Sequence, residues 1–227
     1  MSLKLVKLLK NAYPLADSRV ICHYYELTKR KGSPKYFDKW DQIWDSKWQA
    51  LEDIGLTSKI FSEDYKKTIL DVGAGPGIFA WLCYQMGHSV ETTELPVKND
   101  FIEKSIILFF RDCKMVNRVF FDCAHYDFVI DKDTRDLPGE KTYDIISLQR
   151  TNFDIGWTWN DYKRIIPAMR NRLNQKGFIY FNCPNEQIHA LGDYLDKQNI
   201  QYDDLNGDRD EYWSATNQVL GRYKVYA

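Results

Sequence analysis

Ile69-Leu70-Asp71-Val72-Gly73-Ala74-Gly75-Pro76-Gly77-Ile78-Phe79 is the stretch on which the fold turns. Residues 69–72 read as a short strand with an acid set among apolar residues, and three glycines follow at alternate positions. The apolar run Ile78-Phe79-Ala80-Trp81-Leu82-Cys83 then opens a helix. Strand, glycine turn and helix N-terminus form a nucleotide-binding corner of a doubly wound α/β sheet. Glycine serves there because the turn needs unusual backbone angles and a ligand must come close to the backbone. The free N–H groups of the helix start favour an anionic or carboxylate group. The alternative is a tight turn that holds no ligand.

The spacing downstream favours the ligand. Gly87-His88-Ser89-Val90-Glu91-Thr92-Thr93-Glu94 reads as a second strand that closes on an acid. Glu94 lies close to the ~20 residues beyond the glycines at which a carboxylate binds ribose hydroxyls. A nicotinamide dinucleotide fingerprint needs a third glycine or alanine where Ile78 stands, and a phosphate-cradling ATPase loop needs a Gly-Lys-Ser/Thr that does not follow.

The pattern resembles the class I S-adenosylmethionine-dependent methyltransferases. Their Asp-x-Gly-x-Gly-x-Gly segment appears here as Asp71, Gly73, Gly75 and Gly77, and Glu94 matches their ribose-binding acid. The resemblance runs from about Thr68 to Asn182 and implies a Rossmann-like, seven-stranded doubly wound sheet with helices on both faces. It implies S-adenosyl-L-methionine as cofactor and S-adenosyl-L-homocysteine as product. The cofactor-binding residues it implies are Asp71, Gly73, Ala74, Gly75, Gly77, Glu94 and Leu95, with Asp133, Thr134 and Gln149. Asp133-Thr134-Arg135-Asp136-Leu137-Pro138 resembles the family's segment that contacts adenine, against a plain acidic loop as the alternative. The Gly-His-x-Val, Pro96 and Gln-x-x-x-Phe stretches resemble a bacterial small-molecule or sugar-type branch.

The chain has 227 residues, 44% of them hydrophobic, which suits one sizeable soluble domain with a real core. Aromatics reach 15%, enough to line a pocket as well as the core. A net charge of −1 gives no strong electrostatic footprint for nucleic acid, and Lys29-Arg30-Lys31 reads as a solvated loop. No apolar run is long enough to span a membrane. Lys4, Lys7 and Lys10 interrupt the apolar positions of the first residues, which argues against a secretory signal. Cys22, Cys83, Cys113, Cys123 and Cys183 lack the paired spacing of a zinc site; they suit free thiols in a cytoplasmic protein with no metal.

Two parts are expected: a helical extension over residues 1–66 and the cofactor-binding domain over 67–227. Phe37, Trp40, Trp44, Trp48 and Leu51 recur every three or four residues and mark one helix face, while Asp38, Lys39, Asp41, Asp45 and Lys47 cover much of the rest. The helix packs its aromatic stripe on the domain, serves as a lid over the acceptor, or does both. Beyond Glu94 a helix is expected over about 97–113, a third strand over 127–130 and a fourth over 143–148. A helix from Asn160 or Asp161 to about Leu173 follows, with Pro167 as a kink, then a fifth strand over 178–182 and a helix around Ile188, Leu191 and Leu195. Residues 212–214 and 221–226 are expected to close the sheet as antiparallel strands, with Asn206-Gly207-Asp208 as a turn.

The ligand crevice of such a sheet lies beyond the carboxyl ends of its strands, where Gln149, Arg150, Asn152, Phe153, Trp157 and Trp159 fall. The Asn/Asp-Pro-Pro-Tyr/Phe motif of methyltransferases that modify exocyclic base amines is absent. The expected reaction is methyl transfer to a small-molecule acceptor, a sugar or metabolite oxygen. The alternatives are a protein or nucleic-acid acceptor, or a binding module without turnover. His23 and His125 are the histidines weighed as a general base, and neither is assigned; the catalytic residues and oligomeric state stay open.

Overall fold

The computed structural model describes residues 40–57, 65–72, 74, 77–93, 118–120, 141–149, 159–205 and 220–227, with the single positions 9 and 12. Helix α1 (Trp40–Asp53) comes first, then strand β1 (Thr68–Val72), helix α2 (Ile78–Gln85) and strand β2 (Ser89–Thr93). Strands β3 (Arg118–Phe120) and β4 (Tyr143–Gln149), helix α3 (Trp159–Arg170), strand β5 (Leu173–Pro184) and helix α4 (Asn185–Lys197) follow. Strands β6 (Tyr202–Asp204) and β7 (Leu220–Tyr226) complete the described elements.

The strands form one sheet in the order β3-β2-β1-β4-β5-β7-β6. The first five run parallel, and β7 enters antiparallel between β5 and β6. Order reverses at β1, so β1 and β4 are neighbours with their crossovers leaving in opposite directions. That switch point opens a crevice at their carboxyl ends.

Side chains alternate across the sheet and divide the core in two. Leu70, Val72, Ile146, Leu148, Ile179, Phe181, Tyr223 and Val225 face one way and pack with Ile165, Ile166 and Met169 of α3 and Leu191 and Leu195 of α4. On the opposite face, α1 bonds to β4, β5 and β7 through Lys47 and Asp53, and its Trp44 meets Trp81 of α2 edge-on at 6.2 Å. Helices therefore cover both faces. Trp44, Trp48 and Leu51 are buried, so the aromatic stripe of α1 packs on the domain. Phe37 lies outside the described residues.

One expectation is corrected, and two expected strands fall outside the described residues. The strand beside β2 is Arg118–Phe120; residues 127–130 lie outside the described residues. A three-residue strand is too short for alternation to register in the sequence. The described strand beside β7 is Tyr202–Asp204; residues 212–214 also lie outside the described residues. It is a short edge strand whose Asp203 and Asp204 are exposed, and charge on an edge blocks further pairing while hiding the apolar pattern. Helix α3 ends at Arg170, with Pro167 inside it, because Leu173 already pairs with Tyr143 as the first residue of β5. The register then slips between Tyr143 and Ile145, so regular pairing begins at Phe178. The expected helix at 97–113 and the turn at 206–208 lie outside the described residues.

Candidate functional site

Strand β1 delivers Asp71 to its carboxyl end, in register with Thr92 on β2 and Ser147 on β4. The chain then turns: the Gly77 N–H donates to the Ala74 carbonyl at 2.9 Å, and the Gly77 carbonyl accepts from the Trp81 N–H at 2.8 Å. Gly77 caps α2 with φ +77°, in the left-handed region that favours glycine, and among the described residues no side chain caps the helix. An uncapped N-terminus leaves backbone donors directed at the crevice. Ile78, Phe79, Ala80, Trp81, Leu82 and Cys83 are all buried, so packing fixes the helix in place. Ala74 is buried at the turn. Gly73, Gly75, Glu94, Leu95, Asp133 and Thr134 lie outside the described residues, as do His23, His125, Arg150, Asn152, Phe153 and Trp157.

Around Asp71 the side chains form a ring of polar contacts. Lys47 Nζ of α1 donates to Gln149 Oε1 at 3.1 Å, and Gln149 Nε2 donates to Ser147 Oγ at 2.8 Å. The Ser147 hydroxyl bonds in turn to the Asp71 carboxylate, and the Lys47 ammonium attracts that carboxylate. Asp71, Ser147 and Gln149 are buried. Burial pushes the Asp71 carboxyl up to about 6, against the pull of Lys47 and Ser147 in the other direction. The thiol of Cys83 is pushed up by burial and then by the Asp71 charge, which keeps it protonated and unreactive.

A second polar cluster anchors the far end of α1. Arg222 of β7 clasps Asp53 with one guanidinium nitrogen, at 2.7 Å to Oδ1 and 2.8 Å to Oδ2, and another nitrogen reaches the Leu205 carbonyl at 2.9 Å. The Tyr180 hydroxyl of β5 donates to Asp53 Oδ2 at 2.8 Å. Burial, then the charge of Asp53, push the Tyr180 phenol far up, while Arg222 and a hydrogen bond from Asn182 pull the other way. Asn182 ends this chain of contacts at the carboxyl end of β5, beside Gln149 in register. Its Oδ1 is buried with no hydrogen-bond partner among the described residues.

Of the residues read from sequence, the structure thus brings Asp71, Ala74, Gly77 and Gln149 to the same end of the sheet. Lys47, Ser147, Asn182, Asp53 and Arg222 were not singled out for this site. Lys47 did carry a signal. Read above with the polar residues outside the aromatic stripe, it stands three residues after Trp44 and four before Leu51, which sets it half-buried beside that stripe. Ser147 and Asn182 carried none, since only strand register brings them beside Asp71 and Gln149.

No family model matches the chain, and no curated protein matches it in sequence. Solved structures do match in shape. The chain is similar to the magnesium protoporphyrin IX methyltransferase of Synechocystis PCC 6803 with bound SAM, at 10% identity and a TM-score of 0.56, covering 100% of this chain and 99% of that one. It is similar to the precorrin-6y C5,15-methyltransferase of Geobacter metallireducens GS-15 at 14% identity and a TM-score of 0.52, covering 80% and 87%. It is similar to the ribosomal protein L11 methylase of Lactobacillus delbrueckii subsp. bulgaricus at 16% identity and a TM-score of 0.50, covering 80% and 79%. At these identities the likeness is one of fold. One of these proteins is named for magnesium protoporphyrin IX, one for precorrin-6y and one for ribosomal protein L11, so the fold leaves the acceptor open.

Proposed function

We propose, from the class I S-adenosylmethionine-dependent methyltransferase fold of this chain, that it is a methyltransferase acting on a small-molecule acceptor, a sugar or metabolite oxygen. One observation carries the reading: Asp71 and Gly77, the first and last residues of the Asp-x-Gly-x-Gly-x-Gly segment, lie at the switch point of a β3-β2-β1-β4-β5-β7-β6 sheet. The residues present fit the cofactor. Its amino-acid end carries an ammonium and a carboxylate. Asp71 offers an anion, and the left-handed Gly77 with the uncapped start of α2 offers backbone donors. Gly73, Ala74 and Gly75 complete the cradle in this reading. Glu94 and Leu95 hold the ribose, Asp133 and Thr134 the adenine, and Gln149 borders the acceptor side.

When bound, the cofactor supplies an electrophilic methyl group on its sulfonium. The protein's part is alignment and exclusion of water. The ring of half-buried Lys47 with buried Gln149, Ser147 and Asp71 is pre-organised for the first task, because its side chains hold one another in place. Among the described residues no helix is long and apolar enough to cross a membrane. The chain's charge of −1 favours a small acceptor over nucleic acid.

Calorimetric titration with S-adenosylmethionine, S-adenosylhomocysteine and NAD in parallel tests the reading. Saturable binding of the first two is expected, weakened by Glu94→Ala and by substitution of Gly75. Binding of NAD alone overturns it. Cofactor binding without turnover across a broad acceptor screen replaces the enzyme with a binding module.

A further inference from the structure

Helix α1 has a carboxylate where its own stability does not want one. Asp53 is its last residue and no basic residue stands in its last turn, so the negative end of the helix dipole faces a negative side chain. That side chain is 8% exposed, and Arg222, at 5%, clasps it. Buried ion pairs are weak devices for stability; their better use is to fix one arrangement among several. Here the fixed arrangement is the seating of α1 across β5 and β7. Six residues earlier, ~9 Å along the helix axis, the same helix projects Lys47 to Gln149 and towards Asp71.

We infer that Asp53 is a positioning residue of the candidate cofactor site: its clasp with Arg222 and Tyr180 holds α1 in the one seating that keeps Lys47 at Gln149 and beside Asp71. Its bearing on cofactor binding rests on the methyltransferase reading above; its bearing on Lys47 does not. Among the described residues, the groups that face the Asp71 carboxyl are Lys47 from α1, Ser147 from β4 and Cys83 from α2. Only Lys47 among them is cationic, so the titration of Asp71 reports where Lys47 stands. The helix that the sequence leaves as packing element, lid or both becomes, on this inference, a fixed wall of the site.

The test is a double-mutant cycle of Asp53→Asn and Lys47→Met, read in two ways on the full chain. The first is the carboxyl titration of Asp71 by carbon-13 NMR. Both single variants should raise its midpoint, and the double variant no further than Lys47→Met alone. The second is the Kd for S-adenosylmethionine, which Asp53→Asn should weaken about tenfold through misplacement of Lys47. In the Lys47→Met background the same change should cost under about twofold. The inference is overturned if Lys47→Met raises the Asp71 midpoint and Asp53→Asn does not, or if the loss of affinity is equal in both backgrounds. Should the parent protein bind no S-adenosylmethionine, the functional reading fails and the titration alone decides the inference. If Asp53→Asn does not fold, Arg222→Lys, which keeps the charge and loses the guanidinium clasp, enters the same cycle with the same expectations.

Discussion

Asp71 and His88 are two buried titrating side chains whose effects on stability oppose each other. Burial pushes Asp71 from 3.8 up to about 6. Between those values the folded protein holds a proton that the unfolded chain has released, so the Asp71 contribution is full at low pH and is lost as pH rises through about 6. Burial, and then the Lys67 charge, lower His88 from 6.5 to about 4. Its imidazole accepts from the Lys67 N–H at 3.3 Å and lies against the Tyr65 ring, centroids 4.4 Å apart and planes tilted by 50°. The unfolded chain takes up that proton first, so the His88 contribution is lost as pH falls from 6.5 towards 4. Asp71→Asn should therefore make Tm climb more steeply with pH over this window than in the parent. His88→Gln should do the reverse. Calorimetric Tm from pH 4 to 7 reads both, and parallel profiles for parent and Asp71→Asn would contradict the assignment. Asp71 and Gly77 were legible in the sequence because their signal is local: an acid ends an apolar run and glycines follow. The ring that sets the charge of Asp71 was not, since Ser147 and Lys47 reach it from 76 and 24 positions away through register and helix packing.

The elements that bound the site are held by terminations as much as by cores. Helix α2 ends in a Schellman motif: the Gly87 N–H donates to the Tyr84 carbonyl at 2.8 Å and the His88 N–H to the Cys83 carbonyl at 3.2 Å. Gly87 has φ +88° with open space where a Cβ would stand, so Gly87→Ala should cost only the backbone term, about 1 kcal/mol. Gly177 differs. A Cβ there meets the carbonyl oxygens of Tyr143, Asn174 and Asp144 at 2.9–3.0 Å, all of them backbone. Gly177→Ala should cost more than Gly87→Ala, about 2 kcal/mol or above, because the slipped register between β4 and β5 must open. Urea unfolding of the two variants ranks them, and the reverse order would refute the argument. On α1, Trp44→Ala should cost about 3–5 kcal/mol, since Trp44 is 1% exposed and packs on Trp81. The 3.6-residue stripe of α1 and the buried runs of β1, β4 and β5 were readable because each is long enough to repeat. Strands β3 and β6 were not, having three residues each.

At the scale of the molecule, the last of the described strands in sequence is one of the inner strands in space. Strand β7 pairs with β5 over Leu220–Tyr226 and with β6 through Tyr223, Lys224 and Val225. It gives Tyr223 and Val225 to the core shared with α3 and α4, and Arg222 to the clasp on α1. The two faces of the sheet thus depend on one strand, and through Arg222 so does the seating of the helix that bears Lys47. Removal of residues 220–227 should not trim an edge. It should strip β6 of its only described partner, uncover the edge of β5 and leave Asp53 buried opposite no cation, a penalty of about 3–5 kcal/mol by itself. That is comparable to the whole stability of an ordinary domain, about 5–15 kcal/mol. The truncated chain should therefore show no cooperative thermal transition by circular dichroism, whereas Tyr226→Ala, at the half-buried end of β7, should lower Tm by only a few degrees. A truncated chain that still melted cooperatively would mean that β5 and the α1 clasp can be satisfied without β7, and that the two faces of the sheet are less coupled than Arg222 makes them.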